Sequence, residues 1–373
     1  MSTEKETLQH RLLAWFAVNQ RPLPWRETYD PYQVWIAEIM GQQTQMGRVV
    51  AYFRRWLAAF PDVATLAAAD EERVFKLWEG LGYYNRARNI LSCARILASE
   101  YDGRLPADRD ILRTLPGIGD YTANAIASIA FNQDYPVIDA NVRRLFARLF
   151  DIGTPPAQAR SFIEAQAAAL LPAGRARHFN QALMELGALV CTPRNPACHH
   201  CPLARFCEAH QQGTVALRPV SPGRVKTVAI VMATGIIVAR GRIFIQKRLA
   251  TDVWGNLWEF PGGRLLDGED PAAALHREVA EETGFRLRGV QELATVRHSY
   301  TIYRVTLHGF GALLADDRLE PPHLTAAQEY RWVRPAELAD YAFPAGHRKI
   351  IAGLDHDPRF KDLLRQSRQE KRR

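Results

Sequence analysis

No run of eighteen apolar residues occurs in the chain, which excludes a helix that spans a bilayer. Residues 1–9 are polar and charged and carry no apolar secretory core, so a cytoplasmic protein is expected. Internal repeats and long low-complexity stretches are also missing, which argues against repeat arrays and disordered tracts. Acidic residues are in deficit: 40 Asp and Glu stand against 48 Lys and Arg, leaving a net charge of +8. With no basic amphipathic anchor to accompany it, that excess favours nucleic acid over a membrane as the polyanionic partner. Cysteine is scarce, with five in 373 residues. Cys93 stands alone, and the other four fall between 191 and 207, a clustering that reads as metal ligation and not as a disulfide framework.

What is present divides the chain in two. Apolar content of 47% and charged content of 24% are ordinary for globular protein, and the length suits two or three domains. Up to residue 211 apolar residues recur at helical spacing, as in Leu8, Leu12, Trp15 and Phe16. Residues 212–226 are rich in Gly, Pro and basic side chains and read as a linker. Beyond it, 228–238 and 242–246 read as strands around a turn at Arg240-Gly241. A helix follows over 271–283, then strands over 300–307 and 330–333. An all-α domain over 1–211, an α+β domain over 227–364 and a basic tail over 365–373 are therefore expected.

Cys191, Cys198, Cys201 and Cys207 have the spacing C-x6-C-x2-C-x5-C. Four thiolates satisfy either tetrahedral zinc or the corner irons of a cubane cluster. Zinc sites usually pair two short knuckles, and only Cys198 and Cys201 form one, although His199, His200 and His210 lie close by. Two glycines, Gly117 and Gly119, flank Ile118 just before a helical pattern, a place where backbone N–H groups can approach a phosphate. Asp120 follows them and is expected to cap that helix. Asp139 sits after a short apolar stretch and before the helical run 141–150, where it can cap that run or stabilise positive charge. Glu38 is an acid within an apolar helical segment.

Together these motifs resemble the MutY-type adenine glycosylases of the endonuclease III superfamily, with matches over roughly 8–210. The resemblance implies a helix-hairpin-helix fold and a [4Fe–4S] cluster on Cys191, Cys198, Cys201 and Cys207 that shapes a basic loop including Arg194 and Arg205. It implies that Glu38 is the general acid that protonates adenine and that Asp139 stabilises an oxocarbenium-like sugar, with Tyr121 and Asn141 organising water and the two acids. Trp25, Arg26 and Gln181 would line the adenine pocket, Gln43 and Tyr84 would belong to the intercalation and widowed-base region, and Gly117 and Gly119 would grip the DNA backbone. Related lyases carry a lysine where this chain has Tyr121, so a monofunctional enzyme with water as nucleophile is expected. The implied partner is double-stranded DNA holding an A:8-oxoguanine or A:G mispair, met by a cytoplasmic, nucleoid-associated monomer. A non-catalytic iron–sulfur DNA-binding protein is the alternative, and it would leave Glu38 and Asp139 idle.

The second half carries G-x5-E-x7-R-E-U-x-E-E-x-G-U, with U a bulky apolar residue, from Gly263 through Glu269, Arg277, Glu278, Glu281 and Glu282 to Phe285. Helical spacing puts Glu278, Glu281 and Glu282 near one face, where three acids repel unless Mg²⁺ or Mn²⁺ joins them. This is the Nudix pattern, and residues 255–285 resemble MutT-type hydrolases, with Glu329 a candidate further base and His347 in the base-recognition stretch. MutY-type enzymes use a domain at this place to read 8-oxoguanine through a Phe-Ser-His loop, and here that position holds Tyr300, Thr301 and Ile302. Two readings stay open: a recognition module on a Nudix scaffold, or a hydrolase of 8-oxo-dGTP.

Overall fold

The computed structural model describes residues 2–221, 223, 226–316 and 321–369. By internal contacts the chain divides into two units, Met1–Ala69 with Arg88–Gly223, and Asp70–Ala87 with Arg224–Arg373. Both differ from the domains expected above. Part of the expected linker is fastened to the first unit: the Thr214 hydroxyl donates to Asp151, Arg218 pairs with Asp151 at 2.8 Å, and Arg148 donates to the Arg218 carbonyl at 3.0 Å. At the far end a helix runs over Pro358–Gln369 and buries Phe360, Leu363 and Ser367, so the start of the expected tail is packed helix. Residues 370–373 lie outside the described residues. Among those described, no helix is long and apolar enough to cross a membrane.

The first unit is helical. Helix Ser2–Asn19 presents Leu8, Leu12 and Phe16 to a core shared with Val142, Phe146, Phe179 and Leu183. In helix Pro31–Gly41, Asp30 caps the first turn by accepting from the Gln33 N–H at 3.0 Å, and Pro31 supplies a pre-set φ. Tyr32, Val34, Trp35, Ile36, Ala37, Ile39 and Met40 are all buried, so Glu38 is the one acid on a helix with almost no solvated face. Helices Arg109–Thr114 and Asp120–Ile129 are joined by the Gly117–Gly119 turn, and helices Ala140–Leu149 and Ala176–Leu189 complete the surroundings of the site.

The second unit is built on a mixed seven-stranded sheet. Its strands are β1 (Val228–Ala239), β2 (Arg242–Arg248), β3 (Trp258–Glu259), β4 (Gly262–Arg264), β5 (Leu287–Tyr300), β6 (Tyr303–Leu314) and β7 (Ala327–Val333). β1 and β6 are parallel and the other pairings are antiparallel. Helix Pro271–Thr283 forms where expected, with Asp270 accepting from Ala272 N–H at 3.0 Å at its start and Gly284, φ +72°, at its end. The strand expected over 300–307 is broken: β5 and β6 form a hairpin whose turn is Thr301-Ile302, with Tyr300 opposite Tyr303 and Thr301 at φ +51°. Two β-branched residues hide this turn, because neither is a usual choice for positive φ. β5 is hard to read from sequence because only Leu293 along it is fully buried and its half-buried positions include Ala294, His298 and Tyr300, which give a weak apolar alternation.

Candidate active site

Helices Pro31–Gly41, Asp120–Ile129 and Ala140–Leu149 bring the two expected acids together with Tyr121. The Tyr121 hydroxyl donates to Glu38 Oε2 at 2.9 Å. Asp139 is the N-cap of its helix: Oδ1 accepts from the Val142 N–H at 2.7 Å and Oδ2 from Asn141 Nδ2 at 2.8 Å. Both carboxylate oxygens of Asp139 are thus held in place by donors from its own helix.

Desolvation by the surrounding protein raises the Glu38 carboxyl to about 7; the Tyr121 hydrogen bond pulls the other way, and the charge of Asp139 adds to the rise. Glu38 keeps part of its surface open, but the atoms packed round its carboxyl decide the shift. Burial also raises Asp139, opposed by the hydrogen bonds from Val142 and Asn141. The Tyr121 hydroxyl is pushed well above its ordinary range by burial and by both acids, so it stays a donor. The two acids repel each other's charge, an arrangement that keeps one a proton carrier while hydrogen bonds favour charge on the other.

Arg26 and Gln181 meet directly, Nε to Oε1 at 2.9 Å, and Trp25 lies buried edge-on to Phe53 with centroids 5.0 Å apart. Two residues that the sequence reading missed organise these groups. Glu185 accepts from Arg21 N at 2.7 Å, Arg21 Nε at 2.8 Å and Arg26 Nη2 at 3.0 Å. Burial would raise its carboxyl, but the hydrogen bonds from Arg21 and Arg26 hold it at about 2. Arg144 donates to Asn141 Oδ1 at 2.9 Å, to the Cys191 carbonyl at 2.8 Å and to the Gly187 carbonyl at 2.8 Å. Both lay within reach of helical spacing, Glu185 four residues after Gln181 and Arg144 three after Asn141.

In the hairpin, Gly117 has φ +78° and a Cβ there would lie 2.7 Å from Asn89 Cβ, so both backbone and space demand glycine. Gly119 faces open space and is the helix N-cap. Asp120 does not cap: it is the first helical residue, and its carboxylate takes Arg109 at 2.9 Å and Arg113 at 2.7 Å. Gln43, just beyond helix Pro31–Gly41, is exposed and left-handed at φ +57°.

The four clustered cysteines line one cavity together with Leu145, Arg148, Val190 and Leu203. Arg148 donates to Cys191 Sγ at 3.3 Å, a cation placed against one of the four sulfurs. A donor set of four cysteine sulfurs lining one cavity is of the kind that holds the corner irons of an iron–sulfur cluster. Arg194 and Arg205 are exposed on this loop.

In the second unit Arg277 clasps Glu269 at 2.8 Å, Glu278 at 2.8 Å and Glu281 at 3.3 Å. Glu278 rests on Gly263, where a Cβ would lie 2.2 Å from its carboxylate. Glu282 accepts from Gly262 N–H and Gln246 Nε2, each at 3.0 Å, and burial with the nearby Glu259 charge raises it to about 7. Arg277 thus holds Glu269, Glu278 and Glu281, while Glu282 is engaged by Gly262 and Gln246. A divalent cation bound by Glu278 and Glu281 would have to compete with Arg277 for them. Glu329 is paired with Arg331 at 2.7 Å and with Lys247 at 3.7 Å. His347 is buried, and burial lowers its imidazole to about 3. Tyr84, expected in the intercalation and widowed-base region, is buried with its ring 5.7 Å from Phe75, whereas Tyr83 is half-buried at φ +49° with its ring 5.8 Å from Tyr300. Tyr300 is half-buried and Thr301 exposed at the hairpin turn.

Three family models match the chain. HhH-GPD superfamily base excision DNA repair protein covers residues 36–168, the iron–sulfur binding domain of endonuclease III covers 191–207, and the NUDIX domain covers 233–353. An adenine DNA glycosylase of Rattus norvegicus is 43% identical, over 92% of this chain and 77% of that protein. One of Homo sapiens is 30% identical, over 91% and 72%. The solved structure of a thermostable thymine-DNA glycosylase superposes with a TM-score of 0.52 at 28% identity, over 57% of this chain and 98% of that one.

Proposed function

The chain belongs to the adenine DNA glycosylase family of base-excision repair, and from that premise we propose that Glu38 and Asp139 divide the chemistry on adenine opposite 8-oxoguanine or guanine. Glu38, with its carboxyl near 7, delivers a proton to a ring nitrogen of adenine, which makes the base a competent leaving group. Asp139 offers negative charge to the sugar as it becomes oxocarbenium-like. Water completes the reaction, since Tyr121 offers no amine to attack the sugar. Adenine reaches these groups only out of the stack, where Arg26 and Gln181 meet its edge. The cysteines 191, 198, 201 and 207 hold the [4Fe–4S] cluster, which orders their loop; Arg194 and Arg205 on it and the Gly117–Gly119 turn contact phosphate.

The observation that carries this reading is the 2.9 Å Tyr121–Glu38 hydrogen bond beside Asp139, which is fixed as the N-cap of its helix. Single-turnover adenine release from an A:8-oxoguanine duplex tests it: Glu38→Gln and Asp139→Asn abolish release but leave duplex binding largely intact. Near-normal turnover in either variant removes that residue from its role.

The second unit reads the opposite base, with Tyr300 and Thr301 at the hairpin turn where the family's loop would lie. Tyr83, not Tyr84, is the ring available for wedging into the stack. The unbroken box over 263–285 favours a second reading, hydrolysis of 8-oxo-dGTP with Mg²⁺ or Mn²⁺. Pyrophosphate release that disappears in Glu282→Gln would support it. No release from protein that excises adenine would leave the unit as a reader alone.

A further inference from the structure

We propose that Trp254 is a base-stacking residue: with Tyr300 and Tyr83 it builds an aromatic platform on the second unit for the purine opposite the excised adenine. The inference rests on the reading that the Thr301-Ile302 turn faces DNA. Trp254 and Tyr300 have ring centroids 5.2 Å apart at 67°, and Tyr83 and Tyr300 5.8 Å apart at 40°. The three rings come from three separate stretches of chain, and none belongs to either apolar core of the unit. They meet outside the two apolar cores described for this unit, at its half-exposed surface. The neighbouring apolar side chains are turned outward too, Val253 61% exposed and Ile302 39% exposed.

Each stretch adopts left-handed backbone at a residue that ordinarily avoids it: Trp254 at φ +62°, Tyr83 at +49° and Thr301 at +51°. Such conformations persist only where the surroundings enforce them, and they concentrate at binding sites. The Trp254 loop is enforced by backbone bonds from Gly255 N to Asp252 O at 2.9 Å and from Asn256 N to Arg248 O at 3.2 Å. At Gly255 a Cβ would lie 2.4 Å from the Ala250 carbonyl oxygen, so the loop closes too tightly for any other residue. Tyr83 sits on a segment fixed to the same unit, where Glu79 accepts from Phe343 N–H at 2.9 Å and from Arg348 at 2.7 Å. The platform is thus held rigid before any ligand arrives, which limits the entropy lost on stacking.

The chemistry suits a nucleobase bordered by phosphates. Arg297 and Arg304 are exposed on the two strands that lead into the turn. Adenine is not the ligand, because Glu38, Asp139, Arg26 and Gln181 all belong to the first unit. The purine left opposite it is the remaining unpaired base of the mispair. A third ring also compensates for the histidine that this turn lacks, by adding contact area where a hydrogen-bonding group is missing.

The test is the affinity of the full chain for a duplex with a non-hydrolysable adenine analogue opposite 8-oxoguanine, read by fluorescence anisotropy. Stacking on one aromatic side chain predicts that Trp254→Ala weakens binding about 5- to 150-fold. Trp254→Leu, which keeps apolar bulk and the fold, weakens it similarly, and Trp254→Phe restores most of it. Wild-type affinity in Trp254→Leu overturns the proposal whatever happens to the alanine variant. If Tyr300→Ala weakens binding while Trp254→Leu does not, the turn still reads DNA and Trp254 does not. If neither weakens it, the reading of the turn fails as well.

Discussion

Replacing Tyr121 with phenylalanine removes the hydroxyl that donates to Glu38 at 2.9 Å and leaves the ring in place. That hydrogen bond favours the carboxylate over the carboxylic acid, so its loss raises the Glu38 pKa above its value of about 7. A hydrogen bond to a charged group contributes roughly 1.5–3 kcal/mol, and one pKa unit corresponds to about 1.36 kcal/mol. The shift expected is therefore about one to two units upward, nearer the lower figure because part of Glu38 is open to water. Catalysis needs the acid form, so the rate falls as pH rises through the Glu38 pKa. The assay is single-turnover adenine release at saturating enzyme from pH 5 to 10, in wild type and Tyr121→Phe. The wild-type alkaline limb is expected near pH 7, and the variant's limb about one to two units higher. The height of the plateau drops as well if Tyr121 orders water, but the position of the limb reports the hydrogen bond alone. A limb that stays put or moves to lower pH would refute the assignment of Glu38 as the acid tuned by Tyr121.

Stability should respond to the same carboxyl. A folded-state pKa raised from 4.5 to about 7 means that wild type loses stability as pH rises across that window. Glu38→Gln should then be the more stable protein at pH 8, by up to about 3 kcal/mol, with the difference closing below pH 4.5; urea melts at both pH values check it. Gly187→Ala places a Cβ 2.7 Å from Asn141 Cβ, in a packed core with little room to give. Overpacking of this kind costs about 1–3 kcal/mol, so both melting temperature and release rate should fall, and an unchanged rate would separate Asn141 from catalysis. Removing the cluster by chelation or through Cys201→Ser should free the 191–207 loop and lower duplex affinity far more than the release rate of bound substrate. Anisotropy beside single-turnover kinetics distinguishes the two.

Fixed spacings made the chemistry legible. The Nudix pattern, the four cysteines, and Glu38 and Asp139 in their flanking motifs are all local, and local geometry follows from helix periodicity or turn chemistry. The partners that tune them are distant in sequence. Glu185 lies 164 residues from Arg21 and Arg144 lies 47 from Cys191, so no local pattern announces either pair. Tyr83 and Tyr84 are adjacent aromatic residues, and only the packing of Tyr84 against Phe75 decides which is covered. The clasp of Arg277 on Glu269, Glu278 and Glu281 follows from the box itself, yet whether those acids hold an arginine or a metal is a matter of side-chain conformation, which periodicity does not specify.

The stretch Asp70–Ala87 belongs by sequence to the helical half and by contact to the sheet half. The chain therefore passes between its two units three times, at 69–70, 87–88 and 223–224. A protease that cuts only near 222–225 would not release two separate pieces, because Glu72 and Glu79 on the amino-terminal fragment would still grip Lys247 and Arg348 on the other. The two units are thus not two consecutive lengths of chain, and no single cut in the chain divides one from the other.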